Sequence, residues 1–181
     1  MARIAALAGR RIDAADAAAP RFPLANVGSV RQRLEALLRA QGSAALVCSA
    51  ACGADLIALD VAGMLGLRRR VVLPFAPERF RETSVADRPG AFGPLFDRII
   101  GEVAAAGDVV MLGLDEDDDA TYAAANEAIL NEAQRLAGAD PSEVIAIIAW
   151  EGRSRGEGDL TRAFATAART RGHAVFEVPT T

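Results

Sequence analysis

The residues with the clearest chemical potential form a short loop between an apolar run and a helical pattern. The loop reads Ser49-Ala50-Ala51-Cys52-Gly53-Ala54-Asp55 and consists almost entirely of small side chains. Small side chains let a phosphate group approach the backbone, and the first turn of a helix offers it unpaired N–H groups and the positive end of a dipole. The loop therefore predicts phosphate or nucleotide binding, with candidate contacts at Ser49, Ala50, Ala51, Cys52, Gly53 and Asp55.

Arginines follow an earlier apolar run, in the segment Gly9-Arg10-Arg11-Ile12-Asp13. Guanidinium groups bind phosphate as planar, bidentate donors, so Gly9, Arg10 and Arg11 are further candidate contacts. A turn with solvent-facing arginines is the alternative interpretation. Arg21, which has prolines on both sides in Pro20-Arg21-Phe22-Pro23, is a candidate for the same site.

A third loop carries groups that suit a base or a ribose. It contains Pro74, Phe75, Phe80 and Ser84, and its prolines predict a rigid segment that ends the preceding strand. The two aromatic rings would either stack on a base or pack into the core, and the serine hydroxyl would contact a phosphate or a ribose.

A fourth loop follows another apolar run and contains Trp150, Glu151, Gly152 and Gly158. It is a second glycine-containing connection between a strand and a helix. Trp150 would either stack against a ligand or fill the rim of the sheet, and Glu151 would accept hydrogen bonds from a ribose.

A helical stripe between the third and fourth loops contains a polar interruption. Asn126 lies on the same face as Tyr122, Ile129, Leu130 and Ala133. Because a buried amide must be hydrogen-bonded, Asn126 either caps a neighbouring loop or reaches a ligand. Tyr122, one turn closer to the strand edge, is a candidate contact.

The elements that position these groups are six apolar runs that alternate with helical patterns. The runs are Arg3 to Ala8, Ala44 to Ser49, Arg70 to Phe75, Asp108 to Leu114, Val144 to Trp150, and Ala174 to Val178. Continuous apolar runs are typical of strands buried on both faces. We therefore expect an α/β fold: one doubly wound, mostly parallel Rossmann-like sheet of about six strands with helices on both faces. Ligands of such sheets bind beyond the carboxyl ends of the strands.

Composition narrows the class of protein. A chain of 181 residues with 51% hydrophobic residues predicts a single domain, residues 1–181. A net charge of -4 argues against a general nucleic-acid binder. The chain contains no lysine, which excludes Schiff-base chemistry and a Walker-type lysine.

The remaining signals concern location and metals. The sequence contains no long apolar run and no signal-peptide pattern, so we expect an intracellular, cytoplasmic protein without membrane partners. Cys48 and Cys52 have neither disulfide nor zinc spacing; Cys48 is expected in the core, whereas a thiol beside a helix start, as at Cys52, can have a lowered pKa. The acidic run from Asp115 to Asp119 predicts a solvated face, with a magnesium site as the alternative. No metal and no obligatory cofactor are expected.

Several segments, taken in order, resemble the SLOG superfamily, the Rossmann-like group that includes the LOG phosphoribohydrolases, the DprA core and the nucleotide-sensing domain of TRPM channels. The resemblance is strongest to bacterial SLOG-type sensor domains. It rests on the GHRID-like segment Gly9-Arg10-Arg11-Ile12-Asp13, the RFP segment Arg21-Phe22-Pro23, the loop Ser49 to Asp55, the strand end Val72-Leu73-Pro74-Phe75, Phe80 with Ser84-Val85, and Trp150-Glu151-Gly152 with Gly158.

This resemblance implies binding or sensing of a nucleotide-derived small molecule, NAD-like, ADP-ribose-like or a nucleoside phosphate. It implies an effector domain or protein as a partner, and it leaves a homo-oligomer open. LOG enzymes carry a PGGxGTxxE motif with a catalytic glutamate, but here Asp159 and Leu160 stand about where its second glycine and threonine would be. The enzymatic alternative, a nucleoside 5'-monophosphate phosphoribohydrolase or related N-glycoside hydrolase, would have to use Glu151. Binding is therefore the preferred interpretation.

Overall fold

The computed structural model describes residues 2–115, 119–138, 140 and 143–181. In this part of the chain, strands and helices alternate. The strands are β1 (Arg3–Gly9), β2 (Ser43–Cys48), β3 (Arg68–Leu73), β4 (Val109–Met111), β5 (Val144–Trp150) and β6 (Ala174–Pro179). The helices are α1 (Val27–Ala40), α2 (Ala54–Met64), α3 (Pro77–Ser84), α4 (Phe92–Ala105), α5 (Asp119–Ala137) and α6 (Leu160–Thr170), with a short 3-10 helix at Leu24–Asn26.

The strands form one sheet in the order β4-β3-β2-β1-β5-β6, and all five described pairings are parallel. From β1 the chain winds outward to β4, then crosses back to place β5 on the other side of β1. The carboxyl ends of β1 and β5 therefore diverge into loops that lead to opposite sides, which opens a crevice at this switch point. The predicted α/β fold class is confirmed.

Two hydrophobic layers enclose the sheet because successive side chains of a strand point to opposite faces. In β1, Ala5 and Leu7 pack with residues of α1, α2 and α4, whereas Ile4, Ala6 and Ala8 pack with residues of α5 and α6. This two-sided burial explains why the strands read as continuous apolar runs.

The observed strand ends differ from the predicted ones mainly at the β4 edge of the sheet. β3 starts at Arg68, two residues earlier than expected, because Arg68 and Arg70 both bind the carboxylate of Asp108 across the edge. It ends at Leu73 because Pro74 cannot donate to the ladder. An apolar pattern cannot detect a strand whose first residues are cations with partners distant in sequence.

Two sequence expectations concern segments of less regular structure. The alanine-rich residues Ala14 to Ala19 lie outside any helix or strand, as expected. The acidic run lies largely outside the described residues, because 116–118 are not among them. In the ranges that are described, no three His, Cys, Asp or Glu side chains come together as a metal site, and no helix has both the length and the apolarity to cross a membrane.

Candidate functional site

A cavity of about 370 Å³ lies at the carboxyl ends of the strands, next to the switch point between β1 and β5. Of the predicted contacts, it is lined by Gly9, Arg10, Arg11, Ser49, Ala51, Asp55, Phe80, Ser84, Tyr122 and Asn126. Lining residues without an individual assignment in the sequence analysis include Arg88, Arg155 and Thr161. The site thus gathers residues from β1, α2, α3, α5 and α6, from the loops after β1 and β2, and from the loop before α6.

Three residues that line this cavity each have a buried side-chain donor without a hydrogen-bond partner in the described part of the chain: the Arg11 Nε, one terminal nitrogen of Arg21 and the Ser49 hydroxyl. Buried polar groups in folded proteins are almost always hydrogen-bonded, so such a cluster needs a partner. Two of the three belong to guanidinium groups, which donate hydrogen bonds and carry positive charge. The cavity is therefore suited to an anionic ligand with several acceptor oxygens.

Arg10 does not extend into solvent but forms the centre of a buried ionic network. Its guanidinium donates to Glu151 at 2.7 Å and to Asp159 at 2.8 and 2.9 Å, and also to the carbonyl oxygen of Arg153. Burial opposes the charge of Arg10, but the hydrogen bonds to Asp159 and Glu151 outweigh it, so the pKa of Arg10 is raised. Arg10 thus joins the β1 loop to the β5 loop across the switch point.

Asp159 closes the amino terminus of α6. Its carboxylate accepts from the backbone N–H groups of Thr161 at 3.0 Å, Arg162 at 3.3 Å and Arg155 at 2.7 Å, in addition to Arg10. Burial disfavours the charge, but the Arg10 and backbone hydrogen bonds lower the pKa of Asp159 well below its usual value. A helix N-terminus is an anion site, and here a carboxylate of the chain itself occupies it.

The loop from Ser49 to Asp55 packs differently from the prediction. The N–H groups of Cys52 and Ala54 donate to the carbonyl oxygens of Ser84 and Arg10, and that of Ala51 donates to the Asp55 carboxylate. Ala50, Cys52 and Gly53 are buried and do not line the cavity. The N–H groups of Ala51, Cys52 and Ala54 thus hold neighbouring loops together, while phosphate binding by this loop stays a prediction.

The Cys52 thiol also differs from its sequence interpretation. Burial raises its pKa, and the nearby Arg11 offsets this effect only in part, so the pKa is not lowered by the start of α2. Cys48 is buried in the core, as expected, and burial raises its pKa as well. Both thiols are free.

Asp55 is a buried carboxyl group that lines the cavity. Desolvation raises its pKa to about 7, although the hydrogen bond from the Ala51 N–H and the charge of Arg11 act in the opposite direction. Near neutral pH the group therefore exchanges between a neutral form, which can donate a hydrogen bond, and an anion.

This raised pKa predicts a pH-dependent stability difference for Asp55→Asn. Between pH 4 and 7 the unfolded chain is ionised at this position while the folded chain holds the proton, so the wild type loses stability as pH rises. The stability of the variant relative to wild type should grow by on the order of 2–3 kcal/mol from pH 5 to pH 8, measured by urea unfolding.

Asp60, on the same helix, is the matched control. Burial opposes its charge, but Arg98 and Arg31 outweigh this and lower its pKa. Asp60→Asn should therefore destabilise the protein at neutral pH and lose this effect as pH falls, which is the opposite sign. A constant difference for Asp55→Asn across pH would contradict the raised pKa.

The aromatic residues of the third loop belong mainly to the core. Phe75 and Phe80 are buried and their ring centroids are 5.8 Å apart, while Phe75 also meets the edge of Tyr122 at 6.3 Å. Of these, Phe80 and Tyr122 line the cavity, but Phe75 and Pro74 do not. Ser84 is buried at the cavity and presents its backbone carbonyl to Cys52.

Asn126 is hydrogen-bonded to a neighbouring segment and also lies at the cavity, where contact with a ligand stays a prediction. Its side-chain amide donates to the carbonyl oxygen of Leu160 at 3.0 Å, which ties α5 to the first turn of α6. It also lines the cavity together with Tyr122. The polar interruption of the helical stripe thus coincides with the site.

The fourth loop contributes less to the cavity than predicted. Trp150 lies 5.8 Å from the Arg10 guanidinium, and its indole N–H donates to Glu177, so the ring supports Arg10. Glu151 is bound to Arg10, and Gly152 and Gly158 are exposed. None of these four residues lines the cavity; instead, the loop contributes Arg155.

The fold and the cavity define an α/β protein with a Rossmann-like parallel sheet and a candidate ligand site at its switch point. No protein-family model matches the sequence, and a search of the curated proteins finds no significant match. Among solved structures, the chain is similar to DNA processing protein A (DprA) from Streptococcus pneumoniae, with a TM-score of 0.56 and 18% identity. The match covers 97% of this chain and 50% of DprA, so the chain spans half the length of that protein. At this identity the comparison shows a shared fold.

Proposed function

We propose that this protein is a SLOG-type domain that binds or senses a nucleotide-derived small molecule in the cavity at the switch point. The observation that carries the proposal is that Arg11, Arg21 and Ser49 all line one cavity and each has a buried donor with no hydrogen-bond partner among the described residues. Phosphate oxygens would satisfy the arginines, and a ribose hydroxyl or phosphate would satisfy the serine. The DprA-like fold and the ordered sequence resemblance support the same class of domain.

The rest of the cavity suits the remainder of such a ligand. Phe80 and Tyr122 provide aromatic surface, and Asp55 and Asn126 provide polar groups on the same wall. A ligand site is typically apolar with a few placed polar groups. A base would lie against the aromatic side while the phosphate faces the arginines.

Binding without base release is the proposed outcome, because the carboxylate considered for catalysis is already bound. Glu151 accepts from Arg10 at 2.7 Å and does not line the cavity. A general acid must reach the departing base to protonate it. Incubation with adenosine monophosphate, followed by chromatography, should show no release of adenine at an enzymatic rate. Turnover that is lost on Glu151→Gln would instead support the hydrolase function.

The binding proposal is tested by thermal shift and calorimetry with NAD, ADP-ribose and adenosine monophosphate. At least one should stabilise the protein, by about 2.7 kcal/mol at 100 times its dissociation constant. Arg11→Ala should then weaken that ligand by roughly 1.5–3 kcal/mol, the range for a charged hydrogen bond.

Arg69→Ala is the matched control. Each of the two arginines is paired with one carboxylate, Arg11 with Asp87 and Arg69 with Glu102, but Arg69 lies near the start of β3 at the opposite edge of the sheet. Its removal should leave affinity unchanged. Equal losses for both variants would exclude the cavity as the binding site.

A further inference from the structure

Two arginines at the cavity, Arg21 and Arg155, have no carboxylate partner among the described side chains. The other lining arginines are committed: Arg10 to Glu151 and Asp159, and Arg11 and Arg88 to a shared Asp87. Guanidinium groups held in a protein site without a counter-ion attract an anion.

The backbone of Arg21 is fixed although its side chain is unpartnered. Its N–H donates to the Asp13 carboxylate at 3.0 Å, and its carbonyl accepts from the Thr180 hydroxyl. The Asp13 oxygens also accept the Phe22 N–H, so this nearby carboxylate is occupied by backbone donors. One terminal nitrogen of Arg21 is buried without a partner, which leaves it available to a ligand.

Arg155 contributes a second positive charge to the cavity that Arg21 lines. It lies in the exposed loop before α6 and lines the cavity. Burial and the positive charges of Arg10 and Arg21 lower its pKa, although the negative charges of Asp159 and Glu151 act in the opposite direction. Arg155 thus lies close enough to Arg10 and Arg21 for their charges to oppose its own. Repulsion of this kind is relieved when an anion binds between the cations.

The usual anion position of such a fold, the amino terminus of the helix after the glycine loop, is not open here. The Asp159 carboxylate accepts the N–H groups of Thr161 and Arg162 and is neutralised by Arg10. A phosphate placed there would meet a buried negative charge. The amino terminus of α6 is therefore not available to a phosphate, whereas Arg21 and Arg155 line the cavity without an ion-paired carboxylate among the described residues.

We infer that Arg21 and Arg155 form a phosphate subsite, so that the ligand of this cavity is phosphorylated and its phosphate group is held by two guanidinium groups. The inference rests on the proposed function for the remainder of the ligand, but the subsite itself requires only an oxyanion. Inorganic pyrophosphate can therefore probe it directly.

Calorimetry with inorganic pyrophosphate should show binding to the wild type. Arg21→Ala and Arg155→Ala should each weaken it about 10- to 100-fold, the factor expected for a lost charged hydrogen bond. Because neither side chain has an ion-pair partner in the described structure, both variants should unfold at nearly the wild-type temperature. Arg21→Lys should retain part of the affinity, since it keeps the charge but not the planar donor pair.

Arg153→Ala is the control, because this exposed arginine is in the same loop but does not line the cavity. It should bind pyrophosphate as the wild type does. The subsite is excluded if wild type does not bind pyrophosphate, or if the Arg21 and Arg155 variants bind it within twofold of wild type.

A comparison of adenosine with adenosine diphosphate separates this inference from the proposed function. If the diphosphate binds wild type and both arginine variants equally, nucleotide binding stands and the subsite is wrong. If pyrophosphate binding depends on both arginines while no nucleotide or nucleoside binds, the subsite stands and the proposed function is wrong.

Discussion

Arg10→Leu should destabilise the protein by about 3–5 kcal/mol, the usual cost of removing one partner from a buried ion pair. The variant leaves Glu151 and Asp159 facing each other without their shared cation, and their side chains are only 9% and 0% exposed. Asp159 keeps its backbone donors, which places the expected loss toward the lower end of this range. Urea unfolding at neutral pH measures it.

The destabilisation caused by Arg10→Leu should decrease as pH falls. In the wild type the pKa of Asp159 is lowered, so this group stabilises the fold above its unfolded pKa and loses that contribution under acid conditions. Without Arg10, protonation of Asp159 removes the buried negative charge that destabilises the variant. The difference between wild type and variant should therefore be smaller at pH 4 than at pH 7.

Arg68→Leu is the matched control because Arg68 also makes two hydrogen bonds to one aspartate, Asp108, but its side chain is 53% exposed. Asp108 also keeps Arg70 as a partner. The expected change is below about 1 kcal/mol, as for surface pairs. Similar losses of unfolding free energy for the two variants would show that the buried Arg10 network stabilises the fold no more than an exposed ion pair does.

The pairing of Arg10 illustrates what the sequence could and could not predict. Its place after β1, at the carboxyl edge, follows from the alternation of apolar runs and helices, and β5 was predicted from Val144 to Trp150 as observed. Its partners could not be predicted, because Asp159 is 149 positions away and Arg10 has the same residue type as Arg11. An amino-acid pattern places residues at an edge but does not decide which charges neutralise each other.

The same limit of sequence patterns explains why Arg155, which lines the cavity, was not among the predicted contacts. Arg155 lies in the glycine-containing loop after β5. In this loop the sequence pattern predicted ligand contacts at Trp150 and the glycines, and not at Arg155. Trp150, for which stacking on a ligand and packing at the rim of the sheet were both open, lies 5.8 Å from the Arg10 guanidinium. The signal that would have found Arg155 is its position as a cation between glycines, next to a helix that starts with the acidic residue Asp159.

The sequence predicts Gly53 as a ligand contact, and the structure shows in addition that Gly53 packs tightly against the loop after β1. A Cβ atom at this position would lie 2.7 Å from the Arg10 carbonyl oxygen and 2.8 Å from the Ile12 nitrogen. Both contacts are backbone atoms of the loop after β1, so no flexible side chain can move aside. Gly53 also has φ of 103°, which disfavours any other residue.

Gly53→Ala should therefore destabilise the fold by about 2–6 kcal/mol, which combines backbone strain of about 1–3 kcal/mol with overpacking of about 1–3 kcal/mol. Gly152→Ala isolates the first term, because Gly152 also has a positive φ, 79°, but has no atom within 4 Å of the added Cβ. The free energies of unfolding of the two variants, measured in urea, should differ by the overpacking term. A different result would be that Gly53→Ala and Gly152→Ala are equally stable and only Gly53→Ala loses ligand affinity. The loop from Ser49 to Asp55 would then act as a phosphate-binding loop, and its packing would not be what holds Arg10 and Arg11 in place.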